Sequence, residues 1–113
     1  MDVRRETWLW AAQRASALVL TFCVLIHIAT IVYATRGGLS GAEILARTRG
    51  NGVWLTFYAV FVLAVAVHAP IGLRSIAIEW LGWRRPSRDV VLIVFSLLLV
   101  AMGLGAAWSL FRQ

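Results

Sequence analysis

The chain alternates long apolar blocks with short polar ones. Residues 15–35, 50–73 and 90–111 carry no Lys, Arg, Asp or Glu. Each block reaches the roughly 20 residues that a helix needs to cross about 30 Å of hydrocarbon. The pattern predicts an all-α integral membrane protein with three transmembrane helices over about 15–35, 53–73 and 90–111. Residues 1–113 read as one three-span domain with no repeat, no low-complexity segment and no room for a soluble domain. Because polar groups recur inside the spans, the three helices are expected to form part of a hetero-oligomeric bundle.

Finer polar punctuation places smaller elements. Residues 2–13, with Trp8 and Trp10, read as a short interfacial segment before the first span. Gln13, Ser16, Cys23, His27 and Thr30 lie near one helical face, which is expected to turn into a bundle. Ser16 and Thr30 have two readings, contacts across helices or bonds back to their own helix carbonyls. In the first loop Ser40 stands three residues before Glu43, a capping-box pattern that predicts a short helix over about 41–48. Pro70 removes the helix bond to the Ala66 carbonyl, and the second helix is expected to continue to about Gly82. Ala101, Gly103, Gly105, Ala106 and Ala107 give the third span a small-residue surface.

Composition sharpens this picture. Hydrophobic residues make up 61% of the chain and the net charge is +6. All 11 basic residues are arginine. They sit at span ends, so the charge points to lipid headgroups and not to nucleic acid. Seven (Arg4, Arg5, Arg14, Arg74, Arg84, Arg85, Arg88) lie on one side of the spans and four (Arg36, Arg47, Arg49, Arg112) on the other. The bias places the N-terminus in the cytoplasm and the C-terminus in the periplasm. The apolar run after the first arginines is too long for a cleaved leader and reads as a retained span. The lone Cys23 excludes an intrachain disulfide and a covalently attached c-type haem.

Two ionisable residues fall inside spans, His27 and His68. A membrane histidine can be a satisfied structural residue, a cofactor ligand or a proton relay. Neutral imidazole binds haem iron. Gly72 stands one turn from His68 and would leave room for a flat ring, although a small residue there equally suits plain helix contact. Arg14 and Arg74, at span ends, are candidates to pair with haem propionates. On one face of the second helix, His68, Gly72, Ser75 and Glu79 follow at helical spacing, the outer two about 16 Å apart along the axis. His68 lies about 9 Å inside Arg74, and His27 about 20 Å inside Arg14. Two axial ligands need similar depth, so these two histidines do not share one iron. A second chain is expected to complete the coordination of His68. His27 is then a structural residue or a ligand to a second haem iron.

Two stretches resemble a known family. Arg14, Ala15, Ser16 and Ala17 open the first span in the manner of the membrane-anchor subunits of succinate dehydrogenase and fumarate reductase. The run from His68 through Gly72 and Arg74 to Glu79 and Trp80 is similar to the second span of the smaller, cytochrome b-type anchor. The resemblance implies a subunit without catalytic residues of its own, in a bacterial inner-membrane complex of electron transport and the tricarboxylic acid cycle. It implies haem b, one or two, shared with a second anchor chain, and His68 as axial ligand with Arg14 near a propionate. It also implies a quinone bordered by Ser16, Arg14, Glu79 and Trp80. The partners it implies are a second anchor, an iron–sulfur subunit and a flavoprotein subunit. Glutamate and tryptophan here replace the family's aspartate and tyrosine, which puts the donor to the quinone carbonyl in question. Glu79 reads either as a proton relay or as a surface carboxylate paired with Arg74 or Arg84. Rival readings are a haem-free structural anchor and the small cytochrome b of another membrane dehydrogenase. A multidrug-type transporter fits poorly, since the spans contain no acid.

Overall fold

The computed structural model describes residues 2–113. Four helices account for most of them: α1 (Val3–Arg36), α2 (Gly41–Thr48), α3 (Gly52–Leu81) and α4 (Ser87–Arg112). The described residues contain no strand. α1, α3 and α4 are each long and apolar enough to cross a membrane, and the chain is a membrane protein.

The helix boundaries follow local chemistry. Asp2 caps α1, its carboxylate accepting from the Arg4 amide at 3.1 Å. Residues 3–13 are not a separate interfacial segment, as expected from sequence, but the first three turns of α1. They contain no Gly or Pro and consist largely of residues that tolerate a helix, so nothing breaks it before the span. The capping box of α2 forms in full. Glu43 accepts from the Ser40 amide at 2.6 Å, and the Ser40 hydroxyl accepts from the Glu43 amide at 3.2 Å. These bonds, first that from the Ser40 backbone, hold the Glu43 carboxyl below its ordinary pKa. A lowered native pKa contributes stability above the unfolded value and loses it as pH falls through the native one. Protection of the Ser40 amide, measured by hydrogen-exchange mass spectrometry as exchange relative to its intrinsic rate, should therefore fall as pH drops below 4.5. α3 begins at Asn51, whose side chain accepts from the Val53 and Trp54 amides. It ends at Gly82, whose φ of 57° is a left-handed conformation that suits glycine.

α3 is the middle member, packed on α1 along one side and on α4 along the other. The helices run up, down, up. Their contacts use small residues: Ala64, Ala66, Pro70 and Ala77 on α3, and Ala107 on α4, are the apolar positions buried there. Leucines and isoleucines are left facing outward, as suits a surface wetted by lipid or by other chains. Gly103 marks the closest approach of α4. A Cβ placed there would lie 2.5 and 2.7 Å from the two methyls of Val62.

Pro70 sits inside α3, and the carbonyl it orphans is Ala66, four residues back. The Ser96 hydroxyl of α4 donates to that oxygen at 2.8 Å. A local defect in one helix thus becomes a tie to its neighbour. Ser96→Ala should lower the thermal stability of the assembled protein by about 1 kcal/mol, the scale of interhelical hydrogen bonds in membranes. An unchanged melting curve would mean that the carbonyl finds another donor.

Charges lock one end of the bundle. Arg74 of α3 donates to Glu6 of α1 through both terminal nitrogens, at 3.3 and 2.5 Å. Arg5, the preceding residue, donates to Asp89 of α4 at 3.1 Å. Asp89 also accepts from Arg85 and Arg88. At the opposite end the Gly50 amide donates to the Phe111 carbonyl at 2.7 Å.

Candidate functional site

His68 is half-buried where α3 meets α1. α1 brings Ser16 to it, with 3.4 Å between the hydroxyl oxygen and His68 Nδ1. The Ser16 hydroxyl hydrogen is committed to the Gln13 carbonyl at 3.0 Å. In the tautomer that donates Nδ1–H to the Ser16 oxygen, Nε2 keeps the free lone pair. This is the second-shell bond that orients metal-ligating histidines. His68 borders an open groove of about 430 Å³ whose other walls, all on α1, are Ala17, Leu20, Thr21, Val24 and Leu25. The groove is apolar, with the imidazole and the Thr21 hydroxyl as its polar groups. Thr21 satisfies itself on the Ala17 carbonyl at 2.8 Å. An imidazole oriented beside an apolar wall fits the chemistry of a haem-iron ligand, and a second chain would have to supply any further ligand.

Both readings of Ser16 and Thr30 meet in the structure. Each hydroxyl bonds back to its own helix, Thr30 to the His27 carbonyl at 2.7 Å, and Ser16 in addition faces His68.

One turn along α1 from Ser16 a crevice of about 270 Å³ opens between the helices. Its polar lining is Glu6, Gln13, Arg14, Arg74 and Ser75; its apolar lining is Leu9, Trp10 and Ile71. The Gln13 amide nitrogen lies 3.4 Å from where a Gly72 Cβ would be. The space beside Gly72 is thus taken by Gln13, not left open for a ring. Gln13 Oε1 and Arg74 Nε are buried without a hydrogen-bond partner. Such orphans are expensive in a membrane, and they make the crevice a place where a ligand's polar groups would be welcome. Arg14 is exposed, with its guanidinium 5.4 Å from the Trp10 ring centroid.

The expected site residues are only partly gathered. Ser16 and His68 meet, and Arg14 and Arg74 share the crevice. Arg74 is already paired with Glu6, so it is not a free partner for a propionate. Glu79 and Trp80 stand apart from Ser16 and Arg14, and Trp80 is 82% exposed. The reason is antiparallel register. Ser16 meets His68 and Gln13 meets Gly72, which sets Glu79 and Trp80 level with the first turn of α1, about 13 Å from the level of Arg14 at ~1.5 Å per residue. Glu79 makes no ion pair among the described residues; Arg74 is occupied by Glu6. Glu6 and Gln13 were not singled out from sequence as site residues. Their signal was available, since residues seven apart share a helix face.

His27 lies toward the other end, eleven residues along α1 from Ser16, or about 16 Å. It does not approach His68. Its Nδ1 is buried and unpartnered, and its ring packs edge-on against Tyr58 and Phe61 at 5.9 and 5.8 Å. It lines a pocket of about 280 Å³ with Thr30, Trp54 and Tyr58, roofed in part by Ile44 and Arg47 of α2.

Residues 1–106 match the family model for the succinate dehydrogenase/fumarate reductase transmembrane subunit. Searches of curated proteins and of solved structures give no match.

Proposed function

This chain belongs to the succinate dehydrogenase/fumarate reductase transmembrane-subunit family, and on that premise we propose that it is the smaller membrane anchor of a succinate:quinone or fumarate:quinone oxidoreductase. It binds haem b together with a second anchor chain, forms part of the quinone site, and docks the iron–sulfur and flavoprotein subunits at its arginine-rich end. That end is cytoplasmic by the arginine bias, in a bacterial inner membrane.

The observation that supports the haem assignment is the pair His68–Ser16, in which a hydroxyl 3.4 Å from Nδ1 orients the ring and leaves Nε2 available as a ligand. Haem b held by His68 and a ligand from the second chain would carry single electrons. The chain's own contribution is to orient the imidazole, to keep water out with the apolar α1 wall, and to offer Arg14 to a propionate.

For the quinone the crevice next to Gln13 supports a binding role. A quinone ring needs an apolar slot and donors for its two carbonyls. Leu9, Trp10 and Ile71 supply the slot; the Gln13 amide, the Ser75 hydroxyl and Arg14 supply donors. Ser16 lies one turn deeper. Glu79 and Trp80, exposed near the end of α3, border the approach from water, where a carboxylate relays the protons that reduction consumes. Glu79→Gln should therefore slow quinone reduction severalfold while electron entry into the iron–sulfur chain holds. Equal losses in the two assays would remove Glu79 from the pathway.

His27 is the candidate ligand for a second haem nearer the outer face, since it lines the pocket with Thr30, Trp54 and Tyr58 and its buried Nδ1 has no partner among the described residues. A structural histidine would be expected to find one.

The test is haem quantitation and a reduced-minus-oxidised spectrum on the intact purified complex. One b-type haem per complex is expected, or two if His27 is also a ligand. A complex with succinate or fumarate activity and no b-type band would leave a haem-free structural anchor.

A further inference from the structure

We propose that the groove between α1, α3 and α4 at the arginine-rich end binds one anionic phospholipid. This groove, of about 320 Å³, shares no lining residue with the His68 groove and adjoins the crevice beside Gln13, with Leu9, Ile71 and Arg74 forming the wall between them. Val67 and Arg74, which border it, lie about 100° and 120° round α3 from His68, at ~100° per residue. It therefore opens on another side of the three-helix row.

Its chemistry is divided along its length. Leu9, Val67, Ile71, Leu92 and Ile93 form an apolar trough, and Arg5, Arg74 and Asp89 form its wet end. Around that end four guanidiniums (Arg5, Arg74, Arg85, Arg88) face two carboxylates (Glu6, Asp89). Two positive charges remain uncompensated. Arg74 Nε is buried with no acceptor. A phosphate ester answers both deficits, since it brings negative charge and oxygens that accept from guanidinium. The trough running from those charges into the apolar zone suits the acyl chain that a phospholipid carries and a free phosphate does not. Ile93 is 60% exposed, so the trough is open to the bilayer side.

The test uses the intact complex, equilibrated with vesicles of equal phosphatidylglycerol and phosphatidylcholine, re-extracted and weighed by native mass spectrometry. The parent should retain phosphatidylglycerol in preference to phosphatidylcholine. Ile93→Trp, which fills the trough without touching the charges, should cut that adduct about tenfold, and Arg5→Gln similarly. Leu98→Trp, on α4 outside the groove, should keep it. Should Arg5→Gln fail to assemble, Ile93→Trp carries the test. Equal retention of both lipids, an adduct of phosphate mass alone, or an unchanged adduct in Ile93→Trp would each overturn the site. So would photocrosslinking from position 93 that captures a polypeptide instead of a lipid. The b-type spectrum of each variant is recorded in parallel. Loss of lipid with an intact spectrum separates this site from the haem assignment.

Discussion

His68→Ala should abolish the b-type band of the purified complex, or halve it if a second haem is bound through His27. The imidazole is the ligating group the chain offers at that depth, and alanine has nothing to replace it. The complex should still be recoverable, because His68 contributes no ion pair and His68→Ala leaves the Glu6–Arg74 and Arg5–Asp89 pairs in place. Ser16→Ala offers a finer reading. It removes the hydroxyl that orients the ring, and outer-shell partners of this kind are typically worth 10–100-fold in metal affinity. Haem should then be retained at purification but lost on dilution or mild detergent washing well before the parent loses it. His27→Ala should leave the His68-dependent part of the spectrum intact. A parental spectrum in His68→Ala would end the ligand assignment.

Gly103→Ala should destabilise the assembled protein by about 1–3 kcal/mol, the usual cost of overpacking. On propensity alone the change should help, since alanine is favoured over glycine in a helix by about 1 kcal/mol. The sign is therefore diagnostic. A Cβ at 103 would enter the space of both Val62 methyls, and a β-branched side chain in a helix has essentially one rotamer, so it cannot swing away. Either α4 moves off α3 or the substitution is strained. Val62→Ala should restore most of the loss in the double variant. Gly105→Ala, two residues on with nothing within 4 Å, should be neutral or stabilising. Thermal unfolding of the four proteins measures all of this, and parallel behaviour of the 103 and 105 variants would mean that the helices do not touch there.

Local patterns announced the elements well. The three apolar blocks, the Ser40–Glu43 cap and the end near Gly82 all depend on residues within a few positions of one another. The family likeness rested on short spacings of the same kind, between Arg14 and Ser16 and between His68 and Glu79. What stayed hidden were partnerships across the chain. Nothing near Glu6 says that it will meet Arg74, 68 residues away. Nothing near Ser96 says that its hydroxyl will serve a carbonyl freed by a proline on another helix. Glu79 and Trp80 looked like companions of Ser16 and Arg14 because spacing along one helix carries no information about where the neighbouring helix begins. Their distance from Ser16 is a property of register, and register is fixed by contacts such as Ser16 with His68 and Gln13 with Gly72.

Arg5 and Glu6 are adjacent, yet one clasps α4 and the other α3. A single turn of α1 therefore works as a rivet through three rods. Sliding α1 along its axis would break both clasps together, whereas swinging its distant tip breaks neither. The rim beneath Arg14 is thereby held against both neighbours at once, and it presents a constant face to whatever sits on it.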